Sequence, residues 1–102
     1  APEFEQLPQH LVASLFSHKF TVSALANRMG AQLEQRLANE LDAIITSPVI
    51  PGTVQLTPDG RLIILLADCQ TTGGYPRVLQ LSFEALSVMA QLGPGAELQF
   101  RR

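Results

Sequence analysis

Between positions 68 and 77 the chain reads Asp-Cys-Gln-Thr-Thr-Gly-Gly-Tyr-Pro-Arg. The adjacent Gly73 and Gly74 let the backbone take positive φ and let a ligand approach main-chain N–H groups. Gln70, Thr71, Thr72, Tyr75 and Arg77 crowd an amide, two hydroxyls, a phenol and a guanidinium into the same turn. Such a turn can hold an anion or an amide. A tight, solvated connection accounts for the same residues, because paired glycines are ordinary turn punctuation. Two further positions carry binding chemistry. Arg28, in Asn27-Arg28-Met29-Gly30, offers a two-pronged fork for a carboxylate or phosphate, or a solvated surface arginine. Gln55, in the middle of a strand pattern, can bond a ligand from a barrel interior or face water.

Other chemistries are poorly supplied. His10 and His18 stand eight apart, which is not the spacing that pairs two ligands on one helical face, so no metal is expected. The single cysteine, Cys69, has no histidine near it in sequence to draw off its proton, and reads as a passive, partly buried thiol. No Walker loop or dinucleotide fingerprint is present, so a nucleotide site would have to be unconventional or shared with another domain. With seven Lys and Arg scattered against nine Asp and Glu, and a net charge of −2, there is no footprint for a phosphate backbone. Nucleic acid is not expected as a partner. The longest apolar run, Leu62 to Ala67, is far short of the roughly 18 residues of a membrane helix. No membrane association and no export leader are expected, and a lone cysteine suits a reducing compartment, so the expected location is cytoplasmic.

The framework that must hold these residues is one domain of 102 residues. A chain of this size buries about 60 to 70% of its unfolded surface, and 46% apolar content is enough to do so. Pro8 to Ser17 sets Leu11, Val12, Leu15 and Phe16 on one stripe behind a proline suited to a first helical turn. Phe20 and Val22 then alternate with Thr21 and Ser23 as a short strand. From Ala31 to Ile45, Leu33, Leu37 and Leu41 recur every four residues among good helix formers, and periodicity alone predicts a helix. Thr53 to Thr57, the turn Pro58-Asp59-Gly60 and the run Arg61 to Ala67 read as a hairpin. Its second arm is apolar on both faces, which predicts a central strand covered on both sides. Arg77 to Leu81 resumes as a strand. Ser82 caps a helix with Phe83, Leu86, Met89 and Ala90 as its buried stripe, Gly93-Pro94-Gly95 stops it, and Ala96, Leu98 and Phe100 alternate in a closing strand. The class is α+β and strand-rich, a curved sheet or partial barrel with two helices packed on it.

The stretch from Leu66 to Arg77, Gln-Thr-Thr-Gly-Gly-Tyr-Pro above all, resembles the hallmark of the biotin-dependent carboxyltransferase and allophanate hydrolase subunit 2 family, to which KipA and the C subunit of 5-oxoprolinase belong. Ser23 followed by Asn27-Arg28-Met29-Gly30, then Pro51-Gly52-Thr53-Val54-Gln55 with Pro58-Asp59-Gly60, resemble it in order and spacing. Pro2-Glu3-Phe4 is similar to the Gly-Pro-Glu segment that opens the family's second half. Cys69 stands where family members often carry Arg, and Ala1 replaces the Gly before Pro2.

The resemblance implies a C-terminal part of a larger family member and a cyclophilin-like β barrel, or half of one, with two peripheral helices. It also implies that Gln32 to Glu34 are extended, with at most a turn of helix around Asn39, against the local periodicity. The implied chemistry is ATP-dependent opening of 5-oxoproline to glutamate, with partners resembling KipI or the B subunit of 5-oxoprolinase. Carboxyl transfer from carboxybiotin to urea, and a KipA-like regulatory module that binds a KipI-like partner, are the alternatives. Both reactions act on a small planar amide, which a cleft of hydroxyl, amide and phenol donors can hold as charge develops on its oxygen. The expected lining is Arg28, Gln55, Gln70, Thr71, Thr72 and Tyr75, with backbone donors from Gly73 and Gly74. Biotin cannot be attached here, since Lys19 sits in His-Lys-Phe rather than between methionines. For the regulatory reading, Val49-Ile50 and Leu92 are the expected contact residues. The isolated piece is expected to be inactive under every reading.

Overall fold

The hairpin expected from Thr53 to Ala67 is the centre of the molecule. In the computed structural model, which describes residues 4, 7–24, 29–39 and 47–101, the elements in chain order are α1 (Gln9–Ser17), β1 (Phe20–Thr21), β2 (Gly30–Gln32), β3 (Ser47–Pro48), β4 (Thr53–Leu56), β5 (Leu62–Leu65), β6 (Thr72–Gly73), β7 (Arg77–Gln80), α2 (Phe83–Met89) and β8 (Glu97–Leu98). Four strands form one antiparallel sheet in the order β2-β5-β4-β7, and two short ribbons, β1-β8 and β3-β6, flank it. The class is α+β and strand-rich, as expected. A closed barrel is not formed: among the described strands, β2 and β7 end the sheet without pairing to each other.

Turn chemistry sets the register. Gly60 takes φ 90°, its amide donates to Thr57 O at 2.9 Å, and the hairpin turn brings Leu56 opposite Leu62, Gln55 opposite Ile63 and Val54 opposite Ile64. Alternate residues point to opposite faces. Leu62, Ile64, Val54, Leu56, Ala31 and Val78 are buried and join α1 through Leu11 and Leu15, β1 through Phe20, and Met89 and Phe100 in one core. The Phe20 and Phe100 rings meet at 5.6 Å between centroids. Ile63 and Leu65 are only half-buried. The expectation of a strand covered on both sides is thus corrected: β5 is central in the sheet, but one of its faces meets the core and the other an open cleft. At the far edge the pairing of β4 with β7 slips between Val54 and Gln55, a bulge that places an extra residue on β7.

The helix predicted from 31 to 45 does not form in the described part of that segment. Gly30 to Gln32 pair with β5, Leu33 makes a bridge to Val22, and Leu37 is held by its amide, which donates to Gly60 O at 2.8 Å. Burying Ala31, Leu33 and Leu37 against the sheet outweighs a local helix propensity worth a few tenths of a kcal/mol per residue. Gln32 and Leu33 follow the extended course that the family resemblance implies, while Glu34 lies in a bend; residues 40–45 lie outside the described part.

The helices are otherwise where the sequence puts them. Pro8 precedes α1, and the Ser82 hydroxyl accepts from Ala85 N at 3.1 Å to cap α2. The expected apolar stripe of α2 is wrong at two positions: Phe83 is 84% exposed and Ala90 is exposed, leaving Met89 as the buried anchor and Leu86 half-buried. Seven residues make two turns, so one anchoring turn contacts the core while the first stands out from it.

Candidate functional site

The face of the sheet that turns away from the core is built by parity. Ile63 and Leu65 of β5 share that face with Gly30 and Gln32 of β2 and Gln55 of β4, because the pairings Gln32 with Ile63 and Gln55 with Ile63 lay one residue from each strand in register. Over this floor stands the β3-β6 ribbon. Ser47 pairs with Gly73 and Pro48 with Thr72, the Val49 amide donates to Thr71 O at 3.0 Å, and Arg77 ties the ribbon down by donating from Nη1 to Pro48 O at 3.1 Å. Floor and ribbon enclose a cleft of about 430 Å³.

Of the residues expected at a site, Gln55, Gln70, Thr72, Gly73, Gly74 and Tyr75 line this cleft together. Thr71 does not: its carbonyl serves the ribbon and its side chain is exposed. Arg28 lies outside the described residues, next to Met29, which does line the cleft. Gly30, Gln32, Val49, Ile63 and Leu65 complete the wall and were not anticipated. The hairpin register was the available signal for Ile63 and Leu65, since a tight turn after Thr57 already sets Gln55 beside Ile63. For Gln32 there was none while a helix was expected there.

Gln55 is the centre of the arrangement. It is 6% exposed, and no described residue hydrogen-bonds its side-chain amide, whose atoms open onto the cleft rather than being sealed in the interior. With no protein partner, the amide is left to hydrogen-bond whatever occupies the cleft. Gly73 is its counterpart. Neither Gly73 nor Gly74 takes positive φ, contrary to expectation; Gly73 lies in β6, and a Cβ there would stand 2.5 Å from Gln55 Nε2. The glycine is required for close approach, not for an unusual dihedral angle.

Among the described residues the cleft presents neutral dipoles. No charged side chain lines it among the described residues. Cys69, just outside, is a half-buried free thiol, and burial pushes its pKa above the ordinary value, disfavouring the thiolate. His18 donates from Nδ1 to Ser14 O of its own helix at 2.9 Å and packs edge-on to Phe20, away from the cleft.

A neutral, amide-lined cleft behind a Thr-Thr-Gly-Gly-Tyr ribbon agrees with what the whole sequence matches. Residues 1–102 fit the carboxyltransferase domain family, subdomains A and B. The chain belongs to that family. It is 31% identical over 101 residues to the C subunit of 5-oxoprolinase from Escherichia coli K12, covering 97% of this chain and 33% of that protein. It is 35% identical over 85 residues to the C subunit of 5-oxoprolinase from Haemophilus influenzae, covering 81% of this chain and 28% of that protein. The chain therefore spans about a third of the length of these relatives. A crystal structure of the protein TTHA0988 superposes on 95% of the chain and 19% of its own at a TM-score of 0.78 and 31% identity, and another crystal form on 94% and 20% at 0.76 and 33% identity. No helix of the described residues is long and apolar enough to cross a membrane.

Proposed function

We propose that this carboxyltransferase domain supplies the amide-binding cleft of a C subunit of the 5-oxoprolinase type, which opens 5-oxoproline to glutamate together with partners resembling the B subunit of 5-oxoprolinase or KipI. The observation that carries the reading is the Gln55 amide, buried, unbonded by any described residue and aimed into a neutral cleft. A planar lactam presents one N–H and one C=O side by side, and a primary amide side chain is the complement of that pair. As the lactam carbonyl is attacked, negative charge grows on its oxygen, and the Gln55 N–H facing it stabilises that charge more than it stabilises the ground state. Thr72, Gln70 and Tyr75 supply further donors at the rim, while Ile63, Leu65 and Val49 accept the apolar ring edge.

ATP does not fit the residues described here. Among the described residues the cleft offers no cation and no phosphate-cradling loop, so we propose that nucleotide binding lies elsewhere in the assembly. The remainder of a closed, cyclophilin-like barrel and the rest of the site are likewise assigned to the portion of a full-length relative that this chain does not span. The cytoplasm is the compartment proposed for the complex. The regulatory alternative rests on exposed apolar side chains. Val49 cannot serve it, being buried in the cleft wall, and Leu92 is half-buried; Ile50 remains, with Phe83 and Val88 more prominent still.

The test is 5-oxoproline-dependent ATP hydrolysis by a full-length protein containing this domain, reconstituted with its partners. Gln55→Leu keeps the volume and removes the amide; it should lower kcat/KM by roughly a hundredfold, in the range of a lost oxyanion donor, with Tm unchanged or raised. Thr72→Ala should reduce it less. Full activity in both variants overturns the assignment, and transfer of the carboxyl group from carboxybiotin to urea, read as carboxylated urea formed without 5-oxoproline, moves the cleft to the carboxyltransferase alternative.

A further inference from the structure

Beyond the neutral cleft lies a second basin of about 390 Å³ at the tip of the central hairpin, lined by Thr57, Asp59 and Arg61 and sharing Gln32, Ile63 and Tyr75 with the first. Parity explains the continuity. Leu65, Ile63 and Arg61 are alternate residues of one strand line and face the same way, each step covering about 6.6 to 7 Å. The floor thus runs from two aliphatic side chains to a guanidinium. Beside it Gln55 and Thr57 follow the same alternation on the neighbouring strand. A ligand amide over Gln55 lies one pleat from Arg61.

The guanidinium is held in place by a short chain of contacts. Arg61 Nη1 donates to Gln32 Oε1 at 3.3 Å, Nε approaches Asp59 Oδ2 at 3.3 Å, and Asp59 is itself fixed by a hydrogen bond from the Thr57 hydroxyl. Thr57 Oγ1 also accepts from Arg61 N at 2.9 Å, so hydroxyl, carboxylate and guanidinium form one closed set within a single turn. Nε and Nη1 are engaged, and Nη2 has no hydrogen-bond partner among the described residues. With Nε and Nη1 engaged, Nη2 remains a charged donor able to reach a carboxylate oxygen.

We propose that Arg61 reads a carboxylate on the ligand, so that the combined groove selects small amides carrying an acidic group one or two bonds from the amide, and rejects the same ring without it. The inference rests on the reading of the Gln55 cleft as an amide site. Asp59 is a positioning residue: it holds the guanidinium along the groove and sets its orientation, and Gln32 joins the two basins.

Titration of the full chain with 5-oxoproline and, separately, with 2-pyrrolidone, the same lactam lacking the carboxylate, followed by amide NMR, tests the two layers apart. The expected result is binding of both at Gln55 and Gly73, with 5-oxoproline roughly ten- to hundredfold tighter, the range of a charge-assisted hydrogen bond. Arg61→Gln should bring the two ligands to equal, weak affinity, and Arg61→Lys should keep part of the preference, with the unperturbed spectrum of each variant showing that it folds. A preference that survives in Arg61→Gln overturns the role of Arg61 and leaves the amide cleft standing. Equal affinities in the unaltered chain do the same. If neither compound shifts Gln55 or Gly73, the cleft reading fails and the carboxylate reading falls with it.

Discussion

The two faces of the four-stranded sheet are made from the same four strands and carry opposite chemistry. On one face Val54, Leu56, Leu62, Ile64 and Val78 are buried among helix side chains; on the other the same sheet presents Gln55, Gln32, Ile63 and Leu65 to a cleft. The first face is filled by groups that need nothing further. The second holds a buried amide that no described residue satisfies. Stability is concentrated on one side, and an amide open to a ligand on the other, so substitutions at neighbouring positions in the same strand should separate folding from binding.

The largest contrast is between adjacent isoleucines of β5. Ile64→Ala removes a fully buried side chain from the core and should cost about 3 to 5 kcal/mol in urea unfolding; Ile63→Ala, one residue away on the cleft face, should cost about 1 kcal/mol and weaken lactam binding instead. Equal losses would erase the distinction between the faces. Two glycines sharpen it next. At Gly60 the backbone has φ 90° and a Cβ would stand 2.7 Å from the Leu37 carbonyl oxygen, so Gly60→Ala strains the turn against rigid backbone and should cost about 2 to 3 kcal/mol. At Gly73 the obstacle is the end of the flexible Gln55 side chain, which can swing aside. Gly73→Ala should therefore leave the melting temperature within about a degree or two of the parent, a change below about 0.5 kcal/mol, while displacing the amide and abolishing the ligand-induced NMR shifts.

The smallest effect concerns acid. The Thr57 hydroxyl, and with it the charge of Arg61, hold the Asp59 carboxyl below its ordinary value of 3.8, against an opposing push from burial. A carboxylate whose pKa is lower folded than unfolded stabilises the fold above the unfolded value and loses that contribution as pH falls through the folded one. Asp59→Asn should flatten the dependence of stability on pH below about 4, as urea unfolding across that range would read, with the difference reduced by salt because the group is exposed.

Much of the hairpin and its surroundings is legible in the residues. Pro58-Asp59-Gly60 carries its own φ requirement, and the alternation of Val54 and Leu56 against Thr53 and Gln55 records which side faces the apolar core. Ser82 marks a helix start because its hydroxyl has one local use. The site is legible for the same reason where it is local: Gln70, Thr72, Gly73, Gly74 and Tyr75 come from a single stretch of loop and strand, and Gln55 is singled out by its position in the middle of a strand pattern. Gln32 was hidden because Leu33, Leu37 and Leu41 repeat with a helical period, and only pairing with β5 shows the segment to be extended. Phe83 misled in the opposite sense: an aromatic at a core-like spacing stands out in solvent on the first turn of α2.

The chain alone determines its turns, caps and strand alternation, because these depend on dihedral preferences and contacts within a few residues. Which faces meet which was decided by the tertiary structure. The close approach of Gly73 to Gln55, the meeting of Gln32 with Arg61 and the pairing of Gly30 to Gln32 with β5 in place of a helix all join residues far apart in the chain, where the area buried between strands outweighs any preference a short segment holds by itself.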